Sequence, residues 1–303
     1  WGWNWYSQDV HISTPYYSAA SVPWAPDITY SGGDAVQGPG DGISRLQLPT
    51  NEILTNLGGY NQEAFSFKIV SNGSTEINTG SITAGHPASQ QIWRNGVEET
   101  RVDYDTQTIP LGFDTSIKSL VKRNGTNYRS EVETEFFNTK ITWTHRAVLT
   151  GTAGTGQVVI SFPCVKNCVM DYVSTAGVKT VVWDGATVVA AGSPDPTACR
   201  YIHLKWAQWN AGVLLIPTAG TVATGAKVTA SSTYPSSYPK RQPNQDRSLL
   251  IYLADGATSM DDVTISFTIK FTDGLDGSAD LAKFGRLKKI PLLSSKKYSG
   301  VLT

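Results

Sequence analysis

Cysteine, methionine and histidine are scarce in this 303-residue chain, at three, two and four. Three thiols cannot build a disulfide framework, and the odd count excludes a small disulfide-stapled secreted module. The four histidines, His11, His86, His145 and His203, come without a nucleophile elbow, an H-E-x-x-H helix, a P-loop or a dinucleotide fingerprint, so no familiar enzyme signature is present. No apolar run approaches the roughly 18 residues of a membrane helix. The aromatic-rich start also lacks the basic-then-apolar layout of a signal peptide, and a soluble protein is expected. Charge is missing locally: residues 1–44 hold no Lys or Arg, and residues 281–303 hold no acid.

Present instead are 40% apolar and 10% aromatic residues, enough for one large β domain or two smaller ones. Residues 263–272 alternate without a slip: Val263, Ile265, Phe267, Ile269 and Phe271 face one way, and Thr264, Ser266, Thr268, Lys270 and Thr272 the other. That period predicts a long half-buried strand. An apolar run at 249–253 lies just upstream, and the connection between them holds Gly256 and two adjacent aspartates, which predicts a closing hairpin. Further strands are predicted at about 63–71, 116–122, 129–136, 139–149, 156–162, 178–183, 186–191, 200–206, 212–216, 226–231 and 248–254. Asn72-Gly73, Asn95-Gly96, Asn124-Gly125 and Asp184-Gly185 supply turns, the last reading as the clearest hairpin. With no ordinary helix and no 20–50-residue repeat, the pattern predicts an antiparallel sandwich or barrel.

The ends differ from the middle. Trp1, Trp3, Trp5, Tyr6, Tyr16, Tyr17, Trp24 and Tyr30, broken by Pro15, Pro23, Pro26 and Pro39, predict an extended segment laid over another surface. Beginning on Trp1, the chain is expected to be processed or to be the remainder of something longer. The Pro-rich stretch 234–243 reads as a long exposed connection. The tail carries Lys283, Arg286, Lys288, Lys289, Lys296 and Lys297, leaving 19 cationic groups against all 25 acidic ones in residues 1–280, a formal −6. Its cations flank the apolar residues 290–293, as in a segment that docks on protein while neutralising phosphate; solubilising a chain end is the plainer account.

Three other groupings could carry chemistry. Cys164, Cys168, Cys199 and His203 form C-x3-C and C-x3-H spacings compatible with zinc, although buried small hydrophobes and a core histidine explain them with less. Glu131, Glu133 and Glu135 would share one strand face, suited to glycoside hydrolysis if brought about 5–9 Å apart around a sugar, or simply a solvated charged face. Asp273, Asp276 and Asp280 have the composition of a calcium loop without EF-hand spacing, and an ion there would as well lie between subunits; turn aspartates are the simpler reading. No other cofactor is expected, nor is catalysis.

A Gly-, Ser- and Thr-rich β domain with an extended aromatic start, a long penultimate connection and a last strand reading Asp262-Val-Thr-Ile-Ser-Phe-Thr-Ile-Lys-Phe-Thr272 resembles the shell domain of single jelly-roll icosahedral virus capsid proteins. The nodavirus-like group, including capsids of small diatom-infecting DNA viruses, is the nearest likeness. The resemblance covers about residues 63–272 and implies an antiparallel jelly-roll sandwich, assembly of many copies into a closed virion shell, and basic residues facing a packaged genome without sequence preference. The nucleic-acid contacts would then be the six tail cations, with no membrane involved. In that family the basic arm precedes the jelly roll, which is not the case here, and no Asn-Ala junction follows Thr272, so self-cleavage is not carried over. The implied organisation is an extended segment over 1–62, a shell domain over 63–272 with a surface hairpin region at about 165–198, and a basic tail over 273–303. From another class comes a secreted carbohydrate-binding or glycoside-hydrolysing sandwich, using Trp and Tyr faces as sugar platforms, with Asn72-Gly-Ser74 and Asn124-Gly-Thr126 as sequons. A phage tail or fibre component is the third possibility.

Overall fold

The computed structural model describes residues 10–13, 18–21, 45–47, 53–56, 66–71, 74–78, 88–98, 108–110, 116–124, 127–137, 140–149, 156–165, 167–186, 194–231, 245–257 and 262–272. The extended start apart from its short strands, the Pro-rich stretch and everything after Thr272 lie outside them, including Asp273, Asp276, Asp280 and the six tail cations. Among the described residues no helix is long and apolar enough to cross a membrane.

Among the described residues twenty strands succeed one another. The first nine are β1 Val10–Ser13, β2 Ser18–Ser21, β3 Arg45–Gln47, β4 Ile53–Asn56, β5 Ser66–Ser71, β6 Ser74–Asn78, β7 Ala88–Arg94, β8 Val97–Glu98 and β9 Thr108–Pro110. There follow β10 Ile117–Asn124, β11 Tyr128–Phe136, β12 Lys140–Leu149, β13 Gly156–Val165, β14 Cys168–Ser174, β15 Lys179–Trp183 and β16 Cys199–Trp206. After a single 3₁₀ turn come β17 Ala211–Thr221, β18 Lys227–Ser231, β19 Gln245–Ala257 and β20 Val263–Thr272.

These strands make an all-β sandwich. A ten-stranded sheet, ordered β15-β14-β16-β17-β20-β12-β11-β10-β7-β8, faces a five-stranded sheet ordered β18-β19-β13-β5-β6. A third sheet, β4-β3-β2-β1-β9, contains the one parallel pair in the described topology, β1 with β9. The alternation that makes β11, β12 and β20 legible is also what places them: Val132, Phe136, Ile141, Trp143, Ile265, Phe267 and Ile269 point into the core. From the other sheet Ile69, Val158, Ile160, Phe162, Leu249, Ile251 and Leu253 meet them. Each such side chain contributes about 1.5–3 kcal/mol on leaving water, which a solvated outer face does not.

The strand order is not that of two four-stranded jelly-roll sheets. β10, β11 and β12 run as a consecutive meander, and β14, β16 and β17 form an antiparallel meander on the other side of β20, with β15 placed outside β14. The predicted closing hairpin is also absent, because β19 pairs with β13 and β18 while β20 pairs with β12 and β17. The chain between them crosses from one sheet to the other. Both strands carry an apolar face, and opposing those faces across the sandwich buries them against each other, whereas a hairpin would set them side by side in one layer.

Two other expectations shift. Asp184-Gly185 makes a bend in which Asp184 Oδ1 accepts from the Ala186 amide at 2.8 Å, but the partner of β15 is β14 upstream. The predicted strand at 186–191 falls almost wholly outside the described residues. β14 itself breaks the alternation rule because both of its faces are covered. Asn95-Gly96 behaves as its sequence suggests: with φ of 51° and 79° they form the two-residue loop joining β7 to β8.

Candidate functional site

The outer face of the wide sheet carries its polar chemistry. Directly paired residues of neighbouring strands share a face, so the register writes out rows across the sheet. One row reads Lys118, Glu135, Thr142, Thr268, Ile216 from β10 to β17. The next toward the other end of these strands reads Leu120, Glu133, Thr144, Ser266, Ala219, and a third Lys122, Glu131, Arg146, Thr264, Thr221. β11, β12 and β20 thereby present a strip of hydroxyls and carboxylates, half-buried except for the exposed Arg146.

The three glutamates do share one face of β11, and they face solvent. Lys122 Nζ lies 3.5 Å from Glu131 and Lys118 Nζ 3.8 Å from Glu133. Thr144 and Ser266 hydroxyls bond across the strands at 2.9 Å, and Arg146 holds Asp262 in a fork, Nε and Nη2 donating to Oδ2 at 2.9 and 2.5 Å.

A further row runs Lys140, Lys270, Leu214, His203, Asp171 from β12 to β14. Here the outer face is no longer open: His203, Asp171 and Leu214 are buried, together with Val173 and Tyr201. Asp171 Oδ2 accepts from Lys205 Nζ and lies 2.9 Å from Lys179 Nζ. The two lysines differ in setting, since Lys205 is 13% exposed and Lys179 is 47% exposed. Burial lowers the His203 pKa to about 4, reinforced by the Lys205 ammonium and opposed by Asp171, so the imidazole is neutral at pH 7 and can both donate and accept. Burial raises the Tyr201 phenol above its ordinary value. Gly212 and Thr272 complete the cluster as the neighbours of Lys205 in its own row. Thr272 is buried here, not facing solvent as the alternation suggests.

The zinc pattern does not assemble. Cys164 lies on β13 in the narrow sheet, Cys168 faces the core opposite Trp206, and His203 points outward from β16. No group of three or more His, Cys, Asp or Glu comes together among the described residues, and no disulfide links the buried cysteines. Burial pushes the Cys199 thiol up to about 12, as for a small core hydrophobe.

Asp171, Lys179, Lys205, Gly212 and Thr272 are not singled out by sequence reading. Their signal is faint but present: Asp171 interrupts the apolar run of β14, and Lys205 sits between Leu204 and Trp206. A charge inside a strand buried on both faces needs a partner.

No family model and no curated protein matches the chain. Among solved structures, a heparinase III matches with 8% identity and a TM-score of 0.46 over 89% of this chain and 37% of its own. A putative aldose 1-epimerase from Escherichia coli K12 matches with 9% identity and a TM-score of 0.41 over 87% of this chain and 98% of its own. A galactose mutarotase related enzyme from Lactobacillus acidophilus gives 9% identity, a TM-score of 0.45 and coverage of 88% and 98%. This chain thus spans 37% of the heparinase III chain. At such identities and scores no residue here takes a role from these proteins.

Proposed function

We propose that this protein binds a polyhydroxylated, carbohydrate ligand along the outer face of its wide sheet, without turning it over. The observation that carries the reading is the half-open strip of glutamates, threonines and Ser266 that the register lines up across β11, β12 and β20. A sugar hydroxyl is both donor and acceptor, and it is matched there by carboxylates and hydroxyls held in fixed register, with the ammonium groups of Lys118 and Lys122 beside them.

The rival shell-subunit reading rests on the six tail cations, outside the described residues, and on a jelly-roll order that the pairing lacks. One preparation separates the two. The purified chain is applied to an oligosaccharide array and to size-exclusion chromatography with negative-stain microscopy. A small species retained by glycans, weakened at least tenfold by Thr268→Arg and releasing no reducing sugar, is the expected result. Closed megadalton particles with no glycan retention would sink the binding proposal in favour of a nucleic-acid-packaging capsid.

A further inference from the structure

The row headed by Lys118 continues one strand further, to Trp93 on β7, which stands opposite Lys118 and is half-buried. Lys118 Nζ lies over the indole, 4.2 Å from the ring centroid, and 3.8 Å from Glu133. The ammonium therefore leans away from Glu135, its direct partner across the strands. Among the described residues the Glu135 carboxylate has no ion pair, since Lys118 goes to Glu133 and Lys122 to Glu131. Lys140, the next cation on that face, lies over the Phe137 ring at 4.8 Å. The half-buried Glu135 thus offers two acceptor oxygens in the middle of the row. At the far end Ile216 on β17 packs on Val173, Tyr201 and Leu214, where the open face stops. From Trp93 to Ile216 the row crosses six strands. Its ends lie about 24 Å apart at a strand spacing of about 4.8 Å, several times the width of one sugar ring.

We infer that this row is a line of subsites for a neutral, linear oligosaccharide laid across the strands, with one sugar ring against the Trp93 indole and neighbouring hydroxyls of another on the Glu135 carboxylate. This rests on the carbohydrate-binding reading and adds the ligand's direction, length and charge. The indole offers a flat apolar surface to the C–H face of a pyranose. Held by the Lys118 ammonium, it has little freedom to lose when the sugar arrives. Glu135 lies two strand spacings away, about 10 Å, so the two side chains act on different sugars of one chain. Its charge also selects: with Glu131 and Glu133 alongside on β11, an uncompensated carboxylate repels a uronate or sulfate and leaves a hydroxyl welcome.

The experiment is calorimetric titration of the whole chain with mono-, di-, tetra- and hexasaccharides of neutral hexoses and with the matching glucuronate series. Wild type, Trp93→Ala, Trp93→Phe and Glu135→Gln are compared, each shown by circular dichroism to be folded. For wild type, affinity for the neutral series rises at least tenfold between the disaccharide and the hexasaccharide, and the glucuronate series binds at least tenfold more weakly. Trp93→Ala loses at least tenfold on the hexasaccharide, and Trp93→Phe restores most of that loss. Glu135→Gln weakens the neutral hexasaccharide about tenfold and narrows the gap to the glucuronate series. Wild-type affinity equal for mono- and hexasaccharides, a preference for glucuronates, or Trp93→Ala and Glu135→Gln binding as wild type does would each overturn this inference, while the binding reading stands. No heat from any sugar with folded wild type removes the binding reading and this inference with it. Should Trp93→Ala not fold, Trp93→Leu supplies the comparison with an aliphatic side chain in place of the flat ring.

Discussion

Trp143 and Phe267 lie opposite each other on β12 and β20, their rings stacked with centroids 6.4 Å apart and planes 23° from parallel, both buried. They sit where the wide sheet's two central strands join, so their loss is felt by both meanders. Phe267→Ala should destabilise by about 3–5 kcal/mol, the cost of an aromatic-sized core cavity. Phe267→Asp should abolish cooperative folding, because it introduces a buried charge with no partner. Thr268→Asp, one residue along on the half-buried face, should change stability by about 1 kcal/mol or less. Urea unfolding followed by circular dichroism reads all three, and a folded Phe267→Asp protein would mean that the facing of β20 is wrong.

How much of this could be read from the chain depends on which faces are wet. β11, β12 and β20 are covered on one side only, and hydrophobic alternation reports that side directly. β14 is covered on both, so its period vanishes and the strand goes unseen. Proximity along the chain misleads for β19 and β20, since a connection of a few residues serves a hairpin or a crossing between sheets, and only the opposed apolar faces choose. The site is harder still. Asp171 and His203 are 32 positions apart, and nothing local to either says that β14 pairs with β16 in the register that sets them opposite. Glutamates 131, 133 and 135 are legible because their relation is one of sequence spacing.

Acid sensitivity follows from two buried histidines. Burial lowers His145 to about 3, and its Nε2 lies 3.1 Å from Ser130 Oγ within the core; His203 is lowered to about 4, with Lys205 and Lys179 opposing its charge and Asp171 favouring it. Both are neutral when folded and take a proton near 6.5 when unfolded, so below that pH the unfolded chain binds more protons. Stability is therefore complete above about pH 6.5 and falls on acidification, by up to about 1.4 kcal/mol per pH unit for each histidine, until the folded pKa is reached. Urea midpoints measured between pH 7 and 4 should fall steeply for wild type and less steeply for Ser130→Ala/His145→Leu. Parallel slopes would show that His145 is not the group responsible.

Two glycines with positive φ separate conformation from space. Gly256 has φ of 85° with open surroundings, and Gly256→Ala should cost about 1 kcal/mol, the left-handed penalty alone. Gly225 has φ of 78°, and a Cβ there would collide with the Asp255 carbonyl oxygen, whose residue also holds Lys227 at 2.5 Å and Gln157 at 3.0 Å. Gly225→Ala should cost about 3 kcal/mol or more, since the obstacle is backbone. Thermal melts that rank the two variants equally would place the Gly225 turn elsewhere.

Asp171 is the carboxylate on which two ammonium groups close, and its neighbours differ in what they lose without it. Asp171→Asn leaves Lys205 buried with no counter-charge and should cost about 3–5 kcal/mol, the usual penalty for breaking one side of a buried pair. Lys179→Ala removes the half-exposed partner, whose contribution is screened by water, and should cost about 1 kcal/mol or less. Replacing both members, as Asp171→Leu/Lys205→Met, removes the stranded charge and should recover most of the lost stability. Chemical denaturation of the four proteins checks the ordering: a double variant no better than Asp171→Asn would mean that the carboxylate holds the outer face together through contacts other than Lys205.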